Sequence, residues 1–433
     1  MPPTELRYQS GFDNTFSSEA ERGALPRRQN SPRKAPFGLV PEQLNGTGFT
    51  VRRQENRRTW LYRLRPSIQP RPWEPKESGR FVGSFDRGVS SPEVMRWRPL
   101  EAPGPSTDWL DGLVTFAGAG DPATRTGVAF HLYAANTDMT DRVFCDVDGD
   151  LLILPELGTL QLQTELGWLV VAPGELALIP AGIRFSVRLP DGRGRGFVAE
   201  VFGRHLRLPE RGPVGANGMA DARHFLAPVA AWEDRGAETE LVVKQLGGLW
   251  RTTAPFSPFD VVAWHGNFAP FKYDLRLYNS LGSASFDHPD PSLLTVLTAP
   301  HDDHGRSAFD LAAFLGRWDV TENTFRPPFF HRNAATEFNA VIQGSDSGPF
   351  RQGTFTWTPY LSPHGVSARS YNGAVALADD IANRPARGSD ESIWIQFESA
   401  FILRVMPWML DHPCRDATYL KSFTGYKSAA VKP

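Results

Sequence analysis

The chain has 433 residues, of which 41% are hydrophobic, and this is enough apolar material for two large β domains. A net charge of −2 carries no global signature of nucleic-acid binding, and no apolar run is long enough to predict a transmembrane helix. With two cysteines and no apolar signal-peptide core at the start, we expect no disulfide framework and a cytoplasmic location.

The first sixty residues are polar and predict an irregular arm, in which four arginines lie between positions 52 and 58. We expect this arm to face solvent or another subunit, because acidic residues elsewhere balance the charge. From 110 to 203, apolar and polar residues alternate between Gly and Pro, which predicts an antiparallel sandwich or barrel. A helix is possible in "ADARHFLAPVAAWED", residues 220–234.

A second strand-rich block is predicted from about 285 to 410. In "SIWIQFESAFIL", Ile393, Ile395 and Phe397 recur with a period of two, as expected for a half-buried strand. A short surface helix is possible in "VALADDIANRP", residues 375–385. We therefore expect a mainly β fold with two lobes, in a β-rich domain over 1–284 and a jelly-roll domain over 285–433.

Residues 325–344, "FRPPFFHRNAATEFNAVIQG", place His331 and Glu337 six positions apart. On a straight strand they would lie roughly 20 Å apart, whereas metal ligands lie about 2 Å from the ion. They can bind one metal only if the chain reverses between them. The short stretch 333–336 allows a β-hairpin with one ligand on each arm, provided that a third ligand comes from elsewhere.

This spacing resembles the hairpin of the cupin family, which reads His-x-His, three or four residues, Glu, six residues, Gly. His331 takes the first His position, Asn333 takes the second, Glu337 takes the acid position and Gly344 takes the last. The cupin family carries one further His after a Pro and Gly, and His364 in "YLSPHGVSARSYN" matches it.

Two histidines and one carboxylate can form a facial triad, which leaves three positions of an octahedron open for substrate and O2. This donor set favours Fe(II), with zinc as an alternative. A buried hydrogen-bonded pair of His331 and Glu337 without a metal is the other reading of these residues. In the earlier block, "IPAGIRF" has Phe185 where a metal histidine would fall, so we expect that lobe to be free of metal.

Over nearly its whole length the chain resembles the homogentisate 1,2-dioxygenase family. The stretches that carry the resemblance include "LRYQSGF", "RTWLYRLRPS", "GPVGANG", "VVAWHGN", "FDHPDPSLLTVLTAP" and "FRPPFFHRN". The resemblance implies a large N-terminal β domain, a C-terminal jelly roll and a hexamer built as a dimer of trimers. It also implies cleavage of the homogentisate ring with O2 to give maleylacetoacetate, an aromatic amino-acid breakdown step.

The resemblance assigns roles to individual residues. The iron ligands of the family fall on the three residues named above, and its pocket histidine, which can take a proton from a substrate hydroxyl, falls on His288. Tyr133 and Ser283 match contacts to the substrate carboxylate. A turn-capping role for His288, and ordinary packing or local hydrogen bonding for Tyr133 and Ser283, are the alternatives.

The chain also departs from the family in its expected pocket. Asp346 replaces a tyrosine that borders the pocket, and Thr358 replaces a histidine six residues before the third ligand. Phe329 and Phe330 replace a pair of tyrosines, and the intervening loop is shorter. Asp346 is expected either to contact the substrate region or to point into solvent.

Three functions remain open from the sequence. The first is ring cleavage of homogentisate, and the second is the same reaction on a different substituted hydroquinone, which Asp346 and Thr358 would favour. The third is a non-catalytic cupin that binds a metal or a small molecule, against which the intact ligand set argues.

Overall fold

The computed structural model describes residues 2, 6–69, 71–282, 284–301 and 305–427. Its contacts divide the chain into two compact units. Unit 1 comprises Met1–Asp86, Glu101–Leu206 and Asp221–Leu277, and unit 2 comprises Arg87–Leu100, Arg207–Ala220 and Tyr278–Pro433. Unit 2 thus includes two segments from the first part of the chain, and the predicted boundary after residue 284 stays a prediction.

Strands dominate both units. They are β1 (Tyr8–Ser10), β2 (Phe16–Glu19), β3 (Val40–Asn45), β4 (Arg58–Arg63), β5 (Glu74–Lys76), β6 (Met95–Trp97), β7 (Leu113–Asp121), β8 (Thr126–Ala135), β9 (Arg142–Asp146), β10 (Gly149–Leu157), β11 (Leu160–Thr164), β12 (Gly167–Val171), β13 (Glu175–Ile179), β14 (Phe185–Arg188), β15 (Gly194–Phe202), β16 (Leu226–Pro228), β17 (Thr239–Gln245), β18 (Gly248–Ala254), β19 (Val261–Gly266), β20 (Phe271–Asp274), β21 (Thr295–Pro300), β22 (Ser307–Phe314), β23 (Trp318–Asp319), β24 (Thr336–Gln343), β25 (Phe355–Thr358), β26 (Ala386–Arg387), β27 (Ile393–Ser399) and β28 (Arg404–Val405).

Helices are short. The α-helices are α1 (Ala368–Val375), α2 (Asp379–Ala382) and α3 (Pro407–Leu410). Single turns of 3-10 helix lie at Pro36–Gly38, Arg53–Glu55, Pro122–Thr124, Gly212–Val214, Ala222–His224, Leu275–Leu277, Pro291–Leu294 and Tyr419–Phe423. With 38% strand and 10% helix, the prediction of a mainly β fold is confirmed.

Unit 1 is built from sheets that are antiparallel except for the parallel pair of β9 and β17. One has the order β1-β16-β20-β13-β10-β15-β8-β7, a second has the order β12-β11-β14-β9-β17-β18-β5, and a smaller one has the order β2-β19-β4-β3. The alternating apolar residues of these strands form an aromatic core, in which Phe185 packs edge-on against Trp109 and Phe144 at 5.5 and 5.7 Å between ring centroids. The position at which a cupin would carry a metal histidine is therefore part of this core.

A group of charged side chains is buried in the same unit. The ammonium of Lys244 on β17 lies 2.9 Å from Asp148 and 3.6 Å from Asp146, and it also contacts Glu200 on β15. His131 on β8 reaches the other oxygen of Glu200 at 3.1 Å. Burial and the neighbouring carboxylate of Glu200 raise the pKa of Asp146 well above its usual range. Lys244 thus supplies the positive charge that these carboxylates require.

Unit 2 contains a six-stranded sheet in the order β21-β22-β27-β24-β25-β6 and a two-stranded sheet of β23 and β26. As predicted, Ile393, Ile395 and Phe397 share the buried face of β27. Phe338 on β24 stacks on Phe397 with 5.7 Å between ring centroids, so this face carries an apolar core. The opposite face carries the polar residues described below.

Two expectations about helices had different outcomes. The short surface helix within 375–385 is confirmed by α2. The helix over 220–234 is wrong, because this stretch forms a single 3-10 turn and then β16, which pairs with β1. Pro228 lacks the backbone N–H that a helix interior needs and is compatible with a short strand. No helix in the described part of the chain is long and apolar enough to cross a membrane.

Candidate metal centre

The carboxylate of Glu337 belongs to a row of polar residues across the sheet of unit 2. Glu337 on β24 lies directly opposite Glu398 on β27 and Thr358 on β25, and Glu398 in turn lies opposite Asp310 on β22. Residues directly opposite each other project from the same face of a sheet. The row therefore brings three carboxyl groups to one face, and Glu337 is only 4% exposed there.

The two histidines are joined by their backbones. His331 N donates to His364 O at 3.0 Å and His364 N donates to His331 O at 3.1 Å, which forms an isolated antiparallel bridge. The imidazole centroids are 4.1 Å apart. The chain then bends at residues 334 and 335 and enters β24. The predicted hairpin with one ligand on each arm does not form, since His331 pairs with His364 instead of with β24.

Hydrogen bonds fix which nitrogen of each ring can bind a metal. Nδ1 of His331 lies 2.8 Å from Phe329 O, and Nδ1 of His364 lies 2.9 Å from Ser362 O. A carbonyl oxygen only accepts, so each Nδ1 must carry a hydrogen and donate it. Each Nε2 then has a free lone pair, as in metal sites where a second hydrogen bond orients the imidazole.

Both Nε2 atoms point toward the carboxylate. Nε2 of His364 lies 3.3 Å and Nε2 of His331 lies 4.0 Å from Oε1 of Glu337. One ligand atom from each of the three residues falls within 4.8 Å of the others. Nε2 of His364 is buried and lacks a partner with hydrogen-bond geometry, despite this short approach. Two lone-pair donors facing each other need a cation between them, and the three residues therefore fit a metal ion.

Without a metal, a proton can provide that cation. Burial would lower the pKa of His364, but Glu337 raises it overall. Burial would likewise raise the pKa of Glu337, but His364, Asn333 and His331 together lower it. Each shift favours the charged pair, which means that protons and a metal compete for the same atoms.

Glu398 and Asp310 lie beside the site, although the sequence analysis did not single them out. Burial raises the pKa of Glu398 to about 7, and the charges of Glu337 and Asp310 add to the rise. Gln396 donates a short hydrogen bond to Glu398. The alternation in "SIWIQFES" was the available signal, because it places Gln396 and Glu398 on the face opposite Ile395 and Phe397.

His288, the predicted base, lies in the segment before β21. Its ring contacts Phe329 edge-on at 5.9 Å between centroids, and Phe329 contacts His331 at 5.4 Å. Nδ1 of His288 donates to Pro289 O at 2.9 Å, so its Nε2 has a free lone pair. This local hydrogen bond is compatible with a turn-capping role as well as with a catalytic one.

The predicted substrate contacts are not gathered around the triad within unit 2. Tyr133 is fully buried in unit 1, where its ring contacts Trp109 at 5.9 Å. Ser283 lies outside the described residues. Asp346 is exposed in a turn beyond Gln343, at the far end of β24 from Glu337. The strand alone separates its two ends by roughly 20 Å, so the roles of these residues stay predictions.

A cavity of about 510 Å³ borders both histidines. It is lined by Val94, Phe330, His331, Arg332, Pro363, His364, Gly365, Phe423 and Tyr426. Phe330 and Arg332 alternate with His331 along the extended chain, so their side chains point away from its metal-facing side. A metal ion would lie on the other side of His331, which faces Glu337 and Asn333, and neither of these residues lines the cavity.

Comparisons with known proteins cover almost the entire chain. Residues 7–275 match the family model described as homogentisate 1,2-dioxygenase N-terminal, and residues 276–430 match its C-terminal counterpart. The homogentisate 1,2-dioxygenase of Oryza sativa subsp. japonica is 47% identical over 436 residues, which cover 98% of this chain and 92% of the relative. That of Arabidopsis thaliana is 45% identical over 432 residues, covering 98% and 93%. Among solved structures, a mutant of Bacillus subtilis oxalate decarboxylase gives a TM-score of 0.29 at 11% identity, covering 78% of this chain and 84% of that chain.

Proposed function

The chain belongs to the homogentisate 1,2-dioxygenase family, and from this membership we propose that it opens the aromatic ring of homogentisate with O2 to give maleylacetoacetate. The observation that carries the proposal is the convergence of two imidazole Nε2 atoms and one carboxylate within 4.8 Å. Such a set leaves positions open for other ligands, as a dioxygenase requires. A purely structural pair of His331 and Glu337 would need a proton on Nε2 of His364, which is buried there without a partner in hydrogen-bond geometry.

Iron(II) is the metal that we propose for His331, Glu337 and His364. Two imidazoles and one carboxylate on one side suit this ion when it must bind other groups as well. Bound iron supplies a Lewis acid for the ring hydroxyl and a binding position for O2. The carbonyl oxygens of Phe329 and Ser362 hold the two rings in the tautomer that such binding needs.

We assign proton transfer to His288. Its Nδ1 hydrogen is held by Pro289 O, which leaves Nε2 free to take the proton of a ring hydroxyl. Phe329, which lies between His288 and His331, is 46% exposed and offers an apolar surface for an aromatic ring.

A second candidate is the same cleavage of another substituted hydroquinone. Thr358 favours it, because this residue lies directly opposite Glu337 in the sheet and replaces a histidine found in the resembling family. A smaller side chain beside a metal ligand changes both the shape and the hydrogen bonding of the pocket. Asp346 gives weaker support, since in its own chain it lies far from Glu337.

The deciding experiment combines metal analysis with oxygen uptake. The protein is loaded with Fe(II) without oxygen, and uptake is then compared for homogentisate, methylhydroquinone and catechols. We expect homogentisate to give the highest kcat/KM. His364→Ala should abolish uptake and iron binding, whereas His224→Ala in unit 1 should do neither. No uptake with any hydroquinone by the iron-loaded protein would refute the proposed reaction, and a preference for a neutral hydroquinone would select the second candidate.

We propose further that the chain is cytoplasmic and assembles as a homo-hexamer. Both cysteines are buried thiols outside any disulfide, which agrees with a reducing compartment. Val375, Leu377 and Ile381, around α1 and α2, are each at least half exposed, and such apolar residues favour burial against another subunit. Light scattering at micromolar concentration tests the assembly, and a monomer would contradict it.

A further inference from the structure

Asn333 occupies the position of the second cupin histidine and contacts a proposed metal ligand directly. Its Nδ2 lies 2.6 Å from Oε1 of Glu337. A carboxylate only accepts hydrogen bonds, so the nitrogen of the amide must face Glu337 and the oxygen must face away. The backbone of Asn333 is also held, because Leu361 N donates to Asn333 O at 3.0 Å.

The amide oxygen of Asn333 is the unexplained part of this arrangement. Oδ1 is buried and has no hydrogen-bond partner among the residues that the structure describes. Buried acceptors are nearly always paired, so an orphaned one beside a functional site requires a donor. Glu337 and the two imidazole Nε2 atoms offer lone pairs rather than hydrogens, and they cannot be that donor in the tautomers described above.

We propose that Asn333 has two separate roles at the site: Nδ2 positions the carboxylate of Glu337, and Oδ1 accepts a hydrogen bond from a ring hydroxyl of the substrate. The inference rests on the proposed function, because a hydroquinone brings two O–H donors to the site. It also gives a reason for Asn at this position. A second histidine there would add a fourth ligand and would remove the acceptor, whereas Asn keeps an oxygen for the substrate.

The acceptor role can be tested with ligands that lack one hydroxyl. Asn333→Leu keeps the size of the side chain and removes both polar atoms. Wild type and variant are saturated with Co(II), which replaces iron, and kept without oxygen so that no turnover occurs. Calorimetry then measures the binding of homogentisate, (2-hydroxyphenyl)acetate and (3-hydroxyphenyl)acetate. Each of the two analogues lacks one of the ring hydroxyls of homogentisate.

We expect Asn333→Leu to bind homogentisate about tenfold more weakly than wild type does, which corresponds to the loss of one hydrogen bond. The analogue that lacks the accepted hydroxyl should bind both proteins equally, since that hydrogen bond is already missing. Equal weakening of all three ligands would mean that Asn333 acts only through the shape of the site. Unchanged binding of homogentisate would also overturn the acceptor role.

The positioning role has its own readout. Competition with a chelator should show that Asn333→Leu binds Co(II) about 10 to 100 times more weakly, a usual effect of removing a partner of a metal ligand. Asn333→His should bind Co(II) at least as tightly as wild type does, with a changed visible absorption spectrum. It should still bind homogentisate about tenfold more weakly, because it lacks the acceptor for the ring hydroxyl. A His variant that keeps the hydroxyl dependence, or a Leu variant with unchanged Co(II) affinity, would overturn the corresponding role.

Asn339→Leu is the matched control, because Asn339 lies on β24, the strand that carries Glu337, and makes no hydrogen bond to Glu337 in the described structure. We expect it to match wild type in all three titrations, and circular dichroism should show that all variants are folded. Failure of the proposed function would look different. Wild type itself would then fail to bind homogentisate, and the same comparison would be made with the hydroquinone it does cleave and the monophenols derived from it.

Discussion

Glu398 should make the metal-free protein less stable as the pH rises through neutrality. Its carboxyl lies between Glu337 and Asp310 in the row across the sheet of unit 2. Burial, with the charges of these two residues, raises its pKa to about 7, compared with an ordinary value of 4.5. The folded chain therefore holds this proton more tightly than the unfolded chain does. The resulting stabilisation is fully present below pH 4.5 and is lost as the pH rises through about 7.

Glu398→Gln removes this dependence, because glutamine has the shape and neutrality of the protonated acid. The rise from 4.5 to about 7 corresponds to roughly 3 kcal/mol, of which about 2.5 kcal/mol develops between pH 5 and pH 8. The free energy of unfolding of the variant, measured relative to that of wild type, should therefore be about 2.5 kcal/mol higher at pH 8 than at pH 5. Titrating groups that do not interact with Glu398 behave alike in both proteins and cancel in the comparison.

The assay is native-state hydrogen exchange of the amides of β24 and β27 in chelator-treated protein at the two pH values. Exchange of these amides reports the stability of unit 2 even if the two units unfold separately. Glu391→Gln is the control, since Glu391 precedes the same strand and is exposed. A stability difference between wild type and Glu398→Gln that is the same at pH 5 and pH 8 would refute the reasoning.

Three further outcomes follow from the described contacts. Glu337→Ala should lower the bound metal at least tenfold by elemental analysis, because it removes the only charged ligand of the three, and full occupancy in this variant would disprove the assignment. His288→Ala should retain the metal and lower kcat about 10²- to 10⁴-fold, as expected for a general base; loss of metal would make His288 a ligand instead. Lys244→Met should destabilise unit 1 by about 3 to 5 kcal/mol in urea unfolding, because it leaves buried carboxylates without their cation, and a loss below about 1 kcal/mol would contradict this.

Local patterns in the sequence predicted what depends on neighbouring residues. Alternation predicted the strands, including the buried face with Ile393, Ile395 and Phe397, and the donor types of His331, Glu337 and His364 predicted a metal site. These features depend on side-chain chemistry and on a period of two, both of which are visible in a single sequence.

Pairing between distant strands could not be predicted in the same way. The bridge between His331 and His364, and the row that places Glu398 and Asp310 beside Glu337, depend on the register of strands far apart in sequence. A shift of one residue would turn each of these side chains to the other face of the sheet. Residues 220–234 show a related limit, since their apolar content suited a helix, whereas tertiary pairing with β1 produced a strand.

The two units solve one physical problem in different ways. Both bury carboxylates on β-strands, which is unfavourable unless a positive charge lies close to them. In unit 1 the chain supplies that charge itself, through the ammonium of Lys244 among Asp146, Asp148 and Glu200. In unit 2 the neighbours of Glu337 are imidazoles whose Nδ1 hydrogens are already held by carbonyl groups, so their Nε2 atoms carry positive charge only when a proton binds there. Three acidic side chains in close proximity therefore do not by themselves make a metal site. Among the residues that the structure describes, no Lys or Arg pairs with Glu337, and this leaves room for a metal ion.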